Sequence, residues 1–114
     1  MSKQIRPLRQ GDVLLIPAGR KLPGKLTGVD RDAGRVVLAY GEVTGHAHAI
    51  ADNRAALYSD AATDRIFLEI TAGLSGAPAA LEHEEHATVT IDPGVYEVRR
   101  QREYQPAANR LVAD

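Results

Sequence analysis

No stretch of this chain keeps a helical period over a useful length, whereas apolar and polar residues alternate in short runs closed by glycine and proline. A chain patterned in this way folds as short strands and tight turns, which points to a small barrel or sandwich. Asp12–Ile16 reads as a strand closed by Pro17. Leu26–Asp30 and Arg35–Tyr40 read as two strands joined by Arg31-Asp32-Ala33-Gly34, where Asp and Gly supply a tight turn. Glu42–Ala51 is a further extended segment and Ala55–Tyr58 a weaker one. In Arg65–Thr71, Ile66, Leu68 and Ile70 alternate with Phe67 and Glu69. Ala79–His83 is expected to be extended, and Ala87–Ile91 with Val95–Arg102 form a hairpin turned by Asp92-Pro93-Gly94. Pro106–Val112, with proline near its start, suits a short C-terminal helix. Residues 1–114 are read as one β domain, long enough to bury roughly two-thirds of its unfolded surface.

All four histidines of the chain fall in two tight pairs, Gly45-His46-Ala47-His48 and His83-Glu84-Glu85-His86. On a strand, residues two apart point the same way, so His46 and His48 project side by side and can chelate one ion. His83 and His86 are three apart and fall on opposite faces of a regular strand. A bend at Glu84-Glu85 would bring both to one point. Without it, only one of them joins the site, and Glu84 or Glu85 completes it. The reading adopted here is a bend, with His46, His48, His83 and His86 around a single divalent transition metal. Zinc is the default for imidazole ligands, with nickel, iron and copper as alternatives.

There is no cysteine, which excludes disulfides, a thiol nucleophile and thiolate zinc ligands. The three serines lack a nucleophile-elbow setting, and neither a P-loop nor a dinucleotide fingerprint occurs. No run approaches the length of a membrane span and no secretory signal is evident, so the expected location is the cytoplasm. Residues 1–25 carry six basic side chains against Asp12 alone, while residues 26–92 carry four arginines against eleven acids. The basic end is expected to lie against the acidic middle rather than on nucleic acid, since no aromatic platform accompanies it. Arg99, Arg100, Arg102, Glu103 and Tyr104 make a dense polar run. If it is extended, Arg100, Arg102 and Tyr104 share one face and Arg99, Gln101 and Glu103 the other. One face could hold a small anionic substrate beside the metal; the alternative is an edge strand charged against aggregation. Glu103 and Tyr104 are proton donors or acceptors only if close to the histidines. Exposed strand edges would also allow a homo-oligomer.

The HxH pair, followed by Ile91-Asp92-Pro93-Gly94-Val95-Tyr96, resembles the metal motif and the Pro-x-Gly turn of cupins. That resemblance implies a metal held in the mouth of a small barrel. The chain departs from the pattern at two points. Asp52 is the nearest acid after the HxH, and Tyr96 and Glu97 stand where a histidine is expected. Over nearly its whole length the chain is also similar to short bacterial and phage proteins sharing Gly11-Asp12-Val13-Leu14-Leu15, Gly45-His46-Ala47-His48, His83-Glu84-Glu85-His86 and Arg100-Gln101-Arg102-Glu103-Tyr104. These supply no activity. Ile5-Arg6-Pro7-Leu8 before a Val-Leu-Leu strand is similar to the start of the small chaperonin lid protein, over about fifteen residues.

Three functions fit these residues. A metal-dependent hydrolase or other small-molecule enzyme needs an open coordination position. A non-enzymatic metal-dependent binding or structural module needs a closed one. A metal-free, ribonuclease-like enzyme needs two imidazoles facing each other across a phosphate-sized gap.

Overall fold

The structure is a computed structural model and describes residues 6–41 and 46–100. Its ten strands are β1 (Leu8–Gln10), β2 (Val13–Pro17), β3 (Thr27–Val29), β4 (Val36–Tyr40), β5 (Ala47–Ile50), β6 (Ala55–Asp60), β7 (Arg65–Ile70), β8 (Ala79–Leu81), β9 (Val89–Ile91) and β10 (Gly94–Arg100). They form a six-stranded sheet in the order β1-β2-β10-β7-β6-β3 and two ribbons, β4-β5 and β8-β9. Every pairing is antiparallel. The large sheet ends at β1 and β3 and does not close on itself, so the all-β architecture is sandwich-like rather than a barrel. The helix expected at Pro106–Val112, together with Arg102 and Glu103, lies outside the described residues.

One core joins all three sheets. Val13, Leu15, Leu57, Leu68, Ile70, Tyr96 and Val98 project from the large sheet. They pack against Val36, Leu38 and Ile50 of one ribbon and Ala79, Leu81 and Ile91 of the other. In β2 the period of two decides this: Val13 and Leu15 are buried, while Leu14 and Ile16 on the opposite face are only partly so.

Two connections differ from the sequence reading for one reason: the chain changes sheet at a turn that looks like a hairpin. Asp32 and Arg35 exchange backbone hydrogen bonds of 2.8 and 3.1 Å around Ala33 and Gly34, both at positive φ. The tight turn is therefore present, but β3 pairs with β6 and β4 with β5. Arg31 secures the crossing by donating to the carbonyls of Gly34, Asp52 and Ala55 at 2.7–2.8 Å. Likewise, β9 and β10 flank Asp92-Pro93-Gly94 without pairing. The expected hairpin is replaced by a crossing, because both edges of β10 are taken by β2 and β7 while β9 pairs with β8. Gly94, at φ +150°, makes the sharp change of direction, and the Tyr96 hydroxyl donates to the Asp92 carbonyl at 2.7 Å to hold it.

Candidate metal centre

Register brings the two histidine pairs together. Ala49 and Glu82 form an isolated antiparallel bridge, with hydrogen bonds of 3.0 and 2.9 Å in the two directions. In antiparallel pairing each step forward on one segment is a step back on the other, so His83 falls opposite His48, Glu84 opposite Ala47 and Glu85 opposite His46. The contacts follow that order. The His48 and His83 ring centroids are 4.3 Å apart. The Ala47 amide donates to Glu84 Oε1 at 3.0 Å, and His46 Nδ1 lies 3.7 Å from Glu85 Oε2. Residues 84–86 bend, which swings His86 back until its ring is 4.6 Å from that of His83 and 5.7 Å from that of His48. His46 meets His83 edge-on at 5.6 Å.

His48 is oriented by a residue that the sequence reading did not single out. It is only 4% exposed, and its Nδ1 is 2.9 Å from Oε1 of Gln10, which is only 3% exposed. The Gln10 amide nitrogen donates to the carbonyls of Leu81 (2.9 Å) and Ala87 (3.0 Å). Both amide protons are thus committed to acceptors, so Oε1 can only accept and His48 Nδ1 must carry the proton. The lone pair of neutral His48 is therefore on Nε2, which lies 3.7 Å from Oδ1 of Asp12. An amide fixed by two backbone carbonyls thereby sets both the tautomer and the ring plane of a candidate ligand. His83 has the opposite arrangement: its Nδ1 accepts the Glu85 amide at 3.0 Å, which places the proton of the neutral ring on Nε2.

Gln10 and Asp12 reach the cluster through the β1–β2 hairpin, in which Gln10 pairs with Val13 across Gly11-Asp12. Gly11 has φ +60°, and a Cβ there would come within 2.8 Å of His86 Nε2 and 3.2 Å of His48 Cε1. The positive φ favours glycine, and a side chain there would push against the two rings. The usable signal was the Gly-Asp pair ahead of Val-Leu-Leu, which marks a two-residue hairpin with a strand before it.

The donor atoms separate into two triads that share His83. Those of His48, His83 and His86 lie within 4.8 Å of one another, as do those of His46, His83 and Glu84. Ligands at 2.0–2.1 Å around a tetrahedral zinc are about 3.3 Å apart, so either triad would contract modestly on an ion. The Ala47 amide, helped by the residue's own amide and by His46 and His83, holds the Glu84 carboxyl below its ordinary range, so it is anionic at neutral pH. Beside this edge runs a cleft of about 290 Å³. Ala47, Ala49 and Ala51 line it, with His83, Glu84 and Arg35 around them. Rings at contact distance leave no phosphate-sized gap between His83 and either His48 or His86.

Arg100 belongs to a different groove, of about 540 Å³, shared with Tyr40, Arg65, Glu97 and Arg99. None of the four histidines lines it. Glu97, 7% exposed, accepts from Arg65 at 3.0 and 3.2 Å and from Arg99 at 3.3 Å. Arg65 and then Arg99 hold its carboxyl below the ordinary range, so two of the groove's arginines are already committed to an internal anion. No helix among the described residues is long and apolar enough to cross a membrane.

A family model described as a domain of unknown function, DUF8820, matches residues 9–101, which include Gln10 and all four histidines. No curated protein and no solved structure matches the chain.

Proposed function

The chain belongs to this domain family of unknown function, and we propose that it is a metal-dependent protein. In this reading it binds one divalent transition metal, zinc by default, through His48, His83 and His86. The observation that carries the proposal is the convergence of three imidazoles from remote segments, one of them buried and locked by Gln10 with its lone pair on Nε2. Second-sphere orientation of this kind is the usual companion of a ligating histidine.

Three imidazoles leave one position of a tetrahedral ion open, which favours an enzyme over a closed structural site. Held by these residues, zinc would supply a bound water with a pKa of about 7 and a Lewis acid for a substrate carbonyl or phosphoryl oxygen. The chain's own residues supply the rest. Gln10 holds His48, Gly11 gives His86 room, and Asp12, near His48 Nε2, is placed to accept a proton. The cleft beside His83 has room for a small substrate, and Arg35 on its wall suits an anionic group. We therefore assign hydrolysis of a small anionic ester or amide as the activity to assay first.

The test is elemental analysis of protein purified without a polyhistidine tag, with His48→Ala and His86→Ala alongside. Stoichiometric metal that falls by one equivalent in both variants supports the reading. Metal-free protein that takes up no zinc, nickel, iron or copper refutes it.

A further inference from the structure

The donors around His83 outnumber what one tetrahedral ion can use. Resting on the metal reading above, we infer that the centre has a second metal position, formed by His46, His83 and Glu84 and facing the cleft.

Three observations carry this. The donor atoms fall into two triads with only His83 in common, so His46 and Glu84 belong to one and His48 and His86 to the other. The triads also differ in depth at one member: His48 is 4% exposed and the His46 side chain 21%, while His83 is common to both and His86 and Glu84 are each exposed. Finally, the cleft is lined by His83 and by Glu84 of the second triad, and by none of the other three histidines. The first set is three imidazoles. The second set adds a carboxylate, pinned through Oε1 by the Ala47 amide, and so brings a negative charge to a partly solvated cation.

With both positions filled, His83 would offer one ring nitrogen to each ion. To serve both, its Nδ1 would have to give up the Glu85 amide and its Nε2 its proton, which would pass to solvent. An ion held there would lie on the side of the cleft lined by His83 and Glu84, and Arg35 on the same lining suits the anionic end of a small ligand.

The experiment is a zinc titration of metal-free, tag-free protein, read by calorimetry and by elemental analysis after desalting. It is run on the wild type, Glu84→Gln, His46→Ala and His48→Ala, with melting curves confirming that each variant is folded. Two equivalents are expected for the wild type and one for Glu84→Gln and His46→Ala. Copper(II) loaded in place of zinc should give an exchange-coupled electron paramagnetic resonance spectrum in the wild type and an isolated-copper spectrum in Glu84→Gln. One equivalent in the wild type, unchanged by Glu84→Gln and His46→Ala, overturns the second position and leaves the first intact. One equivalent lost in His46→Ala and His48→Ala alike overturns it in favour of a single ion shared by both pairs. Two equivalents retained in Glu84→Gln overturn the assigned ligands. Binding of no metal refutes the underlying metal reading itself.

Discussion

Gln10→Leu isolates the residue that orients His48. It is nearly isosteric, puts an apolar side chain in the buried position and removes three hydrogen bonds at once: those to the carbonyls of Leu81 and Ala87 and the one from His48 Nδ1. At about 1 kcal/mol net for each, and with buried partners left unsatisfied, the loss should be about 3 kcal/mol. For a domain of this size that is roughly a 10 °C fall in Tm. Urea denaturation of metal-free protein measures it directly. The same change frees the His48 ring to rotate and to change tautomer, so zinc affinity, read by competition with a chromophoric chelator, should fall 10- to 100-fold. Gln10→Glu separates the two effects. It loses both donors but keeps an acceptor for Nδ1, so it should be destabilised yet hold zinc better than Gln10→Leu. A Gln10→Leu protein within about 1 kcal/mol of wild type, with zinc affinity within twofold, would refute the reasoning.

Three further outcomes are expected. Gly11→Ala imposes an L side chain at φ +60° and a 2.8 Å approach to His86 Nε2. It should lower stability by about 1–2 kcal/mol from the backbone alone and weaken zinc binding as well, measured by urea melts and chelator competition. Asp52, hydrogen-bonded by the side chain and amide of Arg54, has its pKa lowered from 3.8 to about 2. A depressed carboxyl pKa stabilises the fold above pH 4, and that contribution disappears as pH falls from 4 to 2. The linkage limit is about 2 kcal/mol, roughly halved by solvent screening, and Asp52→Asn should flatten the acid limb of a stability–pH curve. Zinc at one hundred times its Kd should stabilise the protein by about 2.7 kcal/mol, seen as a rise in Tm of about 10 °C that a chelator reverses.

The strands were legible because period two survives wherever one face is buried, as in Val13, Leu15 and Leu68, Ile70. The partners of the strands were not. A turn such as Asp32-Ala33-Gly34-Arg35 has the same local chemistry whether its flanks pair with each other or diverge into two layers. The choice is made by distant residues: β10 is central because β2 and β7 bury it from both sides. The histidine pairs were visible as candidates from spacing alone, but their meeting depends on the Ala49–Glu82 bridge, a pairing across 33 residues. Gln10 was invisible for a related reason. A glutamine has meaning only when its amide is buried against named carbonyls, and Leu81 and Ala87 lie more than 70 residues away.

The account depends most on imidazoles from both segments gripping the same ion. Zinc K-edge X-ray absorption of tag-free protein loaded with one equivalent tests this without reference to activity. It should show nitrogen or oxygen neighbours only, at about 2.0–2.1 Å, with the multiple-scattering pattern of three imidazoles, reduced by one in His48→Ala and by one in His86→Ala. A spectrum of hydrated zinc with one imidazole or none, unchanged by either substitution, would contradict it.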